Sequence, residues 1–142
     1  MTIKDIMTDP AVVLHGGDSV FEAARVMREH NIGAVPVVDG ESQVVGIITD
    51  RDIVIRDIAR GLNPKDTPVS TVMTGNVKCI AADTEVEEAA SMMSRDQVRR
   101  IPVVEDNRIV GLVSLGDIAT CMDYKIECAD ALCEISRGCH KK

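Results

Sequence analysis

The sequence predicts an α+β protein made of two copies of one small unit, and three observations carry that prediction. The chain repeats itself: Val35-Pro36-Val37-Val38 matches Ile101-Pro102-Val103-Val104 at an offset of 66, and Ile6-Met7-Thr8 matches Val72-Met73-Thr74 at the same offset. Each copy holds two short aliphatic runs joined by a polar turn, which is the pattern of paired strands. Each copy also holds apolar positions three and four apart, which is the pattern of a helix with one buried face.

The elements follow in the same order in both copies. A short extended piece comes first, Val12–Leu14 and Val77–Ile80. A helix follows, opened by Ser19-x-x-Glu22 in one copy and Thr84-x-x-Glu87 in the other, both readable as capping boxes. Val20, Ala23, Ala24 and Met27 form its apolar face, and Ala89, Ala90 and Met93 repeat that face. Then come a strand over Ala34–Val38, a polar turn, and a strand over Val44–Ile48. The turn is one residue shorter in the second copy, so the offset drops to 65: Val45-Gly46-Ile47-Ile48-Thr49 matches Val110-Gly111-Leu112-Val113-Ser114, and Asp52-Ile53 matches Asp117-Ile118. A second helix begins near Asp50 and Leu115. Gly61 and Pro64 end the first of these, because Gly and Pro stop helices, and residues 61–68 read as a linker. The expected organisation is repeat 1 over 1–62, repeat 2 over 63–124 and a Cys-rich helix or tail over 125–142. A unit of about 60 residues buries too little surface to stand comfortably alone. The two small sheets are therefore expected to pack together, with equivalent ligand-sized clefts at the junction.

Composition excludes several functions. The chain has 142 residues and a formal net charge of −7. Phe21 and Tyr124 are its only aromatic residues, too few for a groove that stacks single-stranded bases. The acidic balance does not suit duplex DNA. The N-terminus lacks a signal-peptide pattern, and no apolar run approaches the roughly 18–20 residues of a membrane span. Five cysteines, an odd number, are no disulfide framework, so a cytoplasmic protein is expected. No nucleophile triad, P-loop or metal-ligand motif is present, so no enzyme is expected.

The doubled set of motifs, Met-Thr at each start, x-Pro-Val-Val, then Val-Gly-Ile-Ile-Thr49-Asp-Arg-Asp52-Ile and Val-Gly-Leu-Val-Ser114-Leu-Gly-Asp117-Ile, resembles a CBS domain pair, or Bateman module, of the small stand-alone type. The resemblance covers residues 3 to about 122. It implies β-α-β-β-α in each repeat and two packed three-stranded sheets. It also implies a regulatory module without catalytic activity, which senses AMP, ADP, ATP or S-adenosylmethionine in the inter-repeat clefts and requires no cofactor. A homodimer is implied as well, with contacts near Arg51–Ala59 and Ile118–Met122, together with a regulated protein that the sequence does not identify.

In that family Gly-x-x-Thr/Ser-x-x-Asp recognises ribose, which here is Gly46 to Asp52 and Gly111 to Asp117. An ionised carboxylate accepts hydrogen bonds from both ribose hydroxyls, while Thr49 or Ser114 sits where free helix amides favour phosphate. Matching positions add Thr8, Val13, Gly33, Ala34 and Ile47 to the first cleft, and Thr74, Cys79 and Leu112 to the second. Thr49-x-x-Asp52 and Ser114-x-x-Asp117 also read as helix caps, and a cap facing a cleft can serve both ends. Arg99 and Arg100 precede Ile101-Pro102, where related modules reach a nucleotide phosphate, so they are assigned to the Asp52 cleft. Small Gly33-Ala34 leave room for a base or ribose but supply no charge to the opposite cleft. Arg51, Arg56 and Arg60 read as solvated.

Two other readings stay open. One is a ligand-free dimerisation scaffold. The other is a metal or redox sensor built on Cys121, Cys128, Cys133 and Cys139, although no C-x-x-C occurs. The tail reads as a helix ending at Gly138, with an apolar stripe of Ile126, Ala129, Leu132 and Cys133.

Overall fold

The structure, a computed structural model, describes residues 1–121 and 124–140, with side chains described through residue 137. It is α+β. In chain order it contains β1 (Leu14–His15), α1 (Val20–His30), β2 (Ala34–Val38), β3 (Val44–Thr49) and α2 (Asp50–Arg56). These are followed by β4 (Thr74–Gly75), β5 (Ile80–Ala81), α3 (Val86–Asp96), β6 (Arg100–Glu105), β7 (Arg108–Ser114), α4 (Leu115–Ala119) and α5 (Lys125–His140). Single 3-10 turns lie at Ile3–Asp5, Ile58–Arg60 and Val69–Thr71.

The chain folds as two compact units. One comprises Val12–Val77 with Asn107–Ile109, and the other comprises Met1–Ala11, Lys78–Asp106 and Val110–Lys142. The repeats have thus exchanged their leading segments: residues 1–11 belong to the body of repeat 2, and the segment before Lys78 belongs to the body of repeat 1. Both segments are fixed by the same bonds. Ile3 N donates to Thr84 O at 2.8 Å and Val86 N to Met1 O at 3.2 Å. In the other unit Val69 N donates to Asp18 O and Val20 N to Thr67 O, both at 2.8 Å. Ile3 and Val69 are fully buried knobs in the respective cores.

In the repeat-1 unit the sheet order is β1-β2-β3-β4. β1 runs parallel to β2, and β2–β3 and β3–β4 are antiparallel. The expected third strand is joined by a fourth, because the exchanged segment lays Thr74 opposite Ile47 and Gly75 opposite Gly46. The repeat-2 unit has the order β5-β6-β7, with Thr8 bridged to Leu112 where the fourth strand would lie. Val35, Val37 and Ile48 face the first core together with Val20, Ala23 and Met27 of α1. Ile101, Val103 and Val113 face the second core with Val86, Ala89 and Met93 of α3. β2 is buried along its whole length, as its unbroken aliphatic run requires.

Several boundaries move. The first strand of each repeat begins two or more residues later than its extended piece, at Leu14 and Ile80. Ser19 caps α1 by accepting from Glu22 N at 3.0 Å, but α3 starts after Glu85, and no side chain caps it. Thr84 is equivalent to Asp18 rather than to Ser19. It serves through its backbone, receiving Ile3 N and donating to Ala81 O. The tail helix runs through Gly138 to His140. Its buried stripe is Tyr124, Cys128, Ala131 and Ile135, set against α3 and α4, whereas Ile126, Ala129, Leu132 and Cys133 face solvent. Both stripes are apolar. The side chains of Cys139 and His140, and all of Met122, lie outside the described residues.

Candidate functional site

Each unit carries the same construction where its last long strand enters a short helix. β3 ends at Thr49, whose Oγ1 accepts from Asp52 N at 3.1 Å, while Asp52 Oδ2 accepts from Thr49 N at 3.0 Å. β7 ends at Ser114, whose Oγ accepts from Asp117 N at 3.1 Å, while Asp117 Oδ2 accepts from Ser114 N at 2.8 Å. Both are reciprocal capping boxes, so the cap reading holds at both helices. The cap also fixes the rotamer of each half-buried carboxylate and engages Oδ2 only. Asp52 Oδ1 lies 3.9 Å from Arg56 Nε.

The glycine of the motif has a steric cause. A Cβ on Gly46 would lie 2.5 Å from Met73 Sδ and 2.8 Å from Thr74 O. One on Gly111 would lie 2.7 Å from Met7 Sδ and 2.8 Å from Thr8 O. The Met-Thr pair that opens each repeat therefore lies against the glycine of the other repeat's motif.

This exchange regroups the candidate residues. Thr74 stands with Ile47, Thr49 and Asp52, and Thr8 stands with Leu112, Ser114 and Asp117, the reverse of the sequence-based grouping. Thr8 and Thr74 are exposed, and Ile47 and Leu112 are half-buried. Val13 and Gly33 are half-buried in the Asp52 unit, and Ala34 is buried at the start of β2. Cys79 is half-buried in the Asp117 unit, and burial raises its thiol pKa. Arg99 and Arg100 are exposed at the start of β6 and make no ion pair among the described residues.

Three details qualify these expectations. The Asp50 carboxylate stands beside Gly33: a Cβ there would meet Asp50 Oδ2 at 2.9 Å. Asp50 thus places a negative charge beside Gly33. Its equivalent in repeat 2 is the buried Leu115, which sits beside Arg99 and donates its N–H to Arg99 O at 2.8 Å. The 65-residue register could have shown this contrast. Second, the first amides of α2 are not free for phosphate. Asp50 N donates to Gly33 O, Arg51 N to Asp50 Oδ1, and Asp52 N to Thr49 Oγ1. Charge for a phosphate must therefore come from side chains. Third, Arg56 is not simply solvated. Its Nη1 donates to Val72 O at 3.3 Å and Met73 O at 3.4 Å, tying the exchanged segment to α2 beside Asp52.

Two copies of one strand–helix unit with paired strand-to-helix junctions define a tandem-repeat α+β fold, and comparison places it. Residues 3–58 and 69–124 each match the CBS domain. The chain belongs to the CBS domain family and is a CBS domain pair, a regulatory module. It is 37% identical over 135 residues to the CBS domain-containing protein YhcV of Bacillus subtilis, covering 95% of both chains. It is similar to Hypoxic response protein 1 of Mycobacterium tuberculosis, at 36% identity over 118 residues, 83% of this chain and 82% of that one. The crystal structure of Hypoxic Response Protein I with two coordinated zinc ions superposes with a TM-score of 0.78 at 35% identity, over 84% of this chain and 98% of that chain. The CBS domain pair of protein MJ0100, in complex with 5′-methylthioadenosine and S-adenosyl-L-methionine, superposes with a TM-score of 0.77 at 34% identity, over 86% of this chain and 99% of that chain. Among the described residues no helix is long and apolar enough to cross a membrane, and no three His, Cys, Asp or Glu side chains gather as a metal site.

Proposed function

We propose that this CBS domain pair is a non-catalytic sensor of an adenosine-type ligand, AMP, ADP, ATP or S-adenosylmethionine, bound at the β3–α2 and β7–α4 junctions. The observation that supports this reading best is the pair of pre-oriented carboxylates. Each is held by its own cap through one oxygen, and a second carboxylate oxygen remains for ribose hydroxyls, whose hydrogen bonds to a charged acceptor are the strong kind. The adenosine ligands of the MJ0100 module agree with it. Arg99 and Arg100, exposed and without ion pairs among the described residues, supply the charge for a phosphate. Ligand binding shifts the population of module conformations, which a regulated protein reads. The module self-associates as a homodimer.

The test is the ligand-induced change in melting temperature with AMP, ADP, ATP, S-adenosylmethionine and GMP. Ligand at about 100 times its dissociation constant adds roughly 2.7 kcal/mol. The expected result is stabilisation by adenosine ligands and not by GMP. The increment should fall in Asp52→Asn, and its phosphate-dependent part should fall in Arg99→Ala/Arg100→Ala. No increment with any adenosine compound would favour the ligand-free scaffold.

A further inference from the structure

Asp57 is a buried group that the ligand site does not use. It is 0% exposed, yet neither of its side-chain oxygens has a hydrogen-bond partner among the described residues. Its backbone, by contrast, is engaged: Asp57 N donates to Ile53 O, and Asp57 O accepts from Arg60 N and Leu62 N, each at 3.2 Å. The residue closes the C-terminal end of α2, where helix carbonyls gather and a carboxylate carries the wrong charge. A buried carboxyl without a partner opposes folding, and most strongly when it is charged. Sixty-five residues on, the chain has the apolar Met122, so repeat 2 carries no counterpart of this carboxyl.

The segment that follows Asp57 is weakly held. Of the ten residues Ile58–Thr67, only Thr67 is buried and only Pro64 is half-buried. The turn folds back through Leu62 N onto Asp57 O and then docks on the start of α1. Val20 N donates to Thr67 O at 2.8 Å, Phe21 N donates to Pro64 O at 3.0 Å, and Lys65 Nζ lies 5.1 Å from the centre of the Phe21 ring. Both flanks are fixed in the core, by Ile53 before the segment and by Val69 after it. A segment that buries little apolar surface between two fixed ends opens locally before the molecule unfolds.

We propose that Ile58–Thr67 is a strap closed against the cost of the buried Asp57 carboxyl, and that repeat 1 has an accessible open state in which the strap lifts off α1 and Asp57 meets water. The strap is continuous with the exchanged segment, and Arg56, next to Asp57, donates to Val72 O and Met73 O of that segment. Opening and closing therefore bear on the segment that places Thr74 opposite Ile47, whatever ligand binds at the Asp52 junction.

Hydrogen exchange of the full chain, read amide by amide by NMR, tests this together with urea titration. In the wild type the Val20, Phe21 and Leu62 amides are expected to exchange about tenfold or more faster than the hydrogen-bonded amides of β2. Asp57→Asn keeps the shape and removes the charge. It should slow those three amides by about tenfold and raise the urea midpoint, the reverse of the usual effect of changing a fully buried polar residue. Asp57→Met, which installs the repeat-2 residue, gives the same reading if the Asn variant does not fold. Wild-type strap amides that exchange as slowly as those of β2 would overturn the open state. Unchanged or faster strap exchange in the variant, or a lower urea midpoint, would show that the carboxyl holds the strap shut and would overturn its opposing role. Failure of both variants to fold would overturn it in the same way.

Discussion

Gly111 shows what a single position in this fold has to satisfy. Its missing side chain lets the Met7-Thr8 segment cross at backbone contact, and Gly46 does the same for Met73-Thr74. Overpacking a filled site costs about 1–3 kcal/mol. Gly111→Ala should therefore lower unfolding free energy by that amount in a urea titration. Gly40→Ala, where a new Cβ meets nothing within 4 Å, should change it by less than about 0.5 kcal/mol. Equal effects at the two positions would show that the crossing is loose. Both ends of this contact were legible as repeated motifs, Met-Thr and Val-Gly. Their contact was not, because Met7 and Gly111 lie far apart in sequence and each motif matches its own copy equally well whichever unit it joins. Asp52 and Asp117 were legible for the opposite reason: a cap is a local device, written within four residues. Asp50 carries no repeat signal, because it matches Leu115 in place and not in kind.

At the scale of elements, local signals placed β2, β3, α1 and both short helices closely. They failed where tertiary contacts choose between equivalent options. α3 starts one residue later than its apparent cap because the exchanged segment binds Thr84 through the backbone. α5 offers two apolar stripes, and α3 accepts the one with Cys128 and Ala131. That choice has a measurable consequence. Burial raises the Cys128 thiol pKa, and the charges of Glu127 and Cys121 add to the effect. The folded thiol holds its proton to higher pH than the unfolded one, so between those values the native state binds more protons. Stability from this group is then complete below the ordinary thiol range and declines as pH rises through it. The urea midpoint should fall between pH 7 and 10 more steeply in wild type than in Cys128→Ala. At pH 8 the exposed Cys133 should alkylate well before Cys128, because thiolate is the reactive form. Equal alkylation rates would show that the packing of α5 against α3 and α4 does not shield Cys128.

At the scale of the molecule, the repeat boundary in sequence and the boundary of folding differ. The sequence divides the chain at the linker near residue 62, yet each compact unit borrows its leading segment from the other repeat. Cutting at the linker would strip the repeat-1 body of Val69 and Val72, which are 0% and 1% exposed in its core, and of β4, the outer strand on β3. Losing one fully buried aliphatic side chain costs about 2–5 kcal/mol, a large share of the 5–15 kcal/mol that holds a domain together. Residues 1–62 alone should therefore lack a cooperative melt by circular dichroism, and so should residues 63–142, which lose Ile3. The peptide 12–77, similar in length to 1–62 but ending after the borrowed segment, should hold more structure. Mixing 1–62 with 63–142 should restore a cooperative transition, because the pair contains both borrowed segments. A cooperative melt of 1–62 equal to that of 12–77 would mean that each repeat folds on its own leading segment. The exchange also bears on regulation. Thr74 reaches the Asp52 junction, and Thr8 the Asp117 junction, on segments that belong in sequence to the opposite repeat. On the proposed function, a ligand at either junction would meet residues of both repeats within one compact unit.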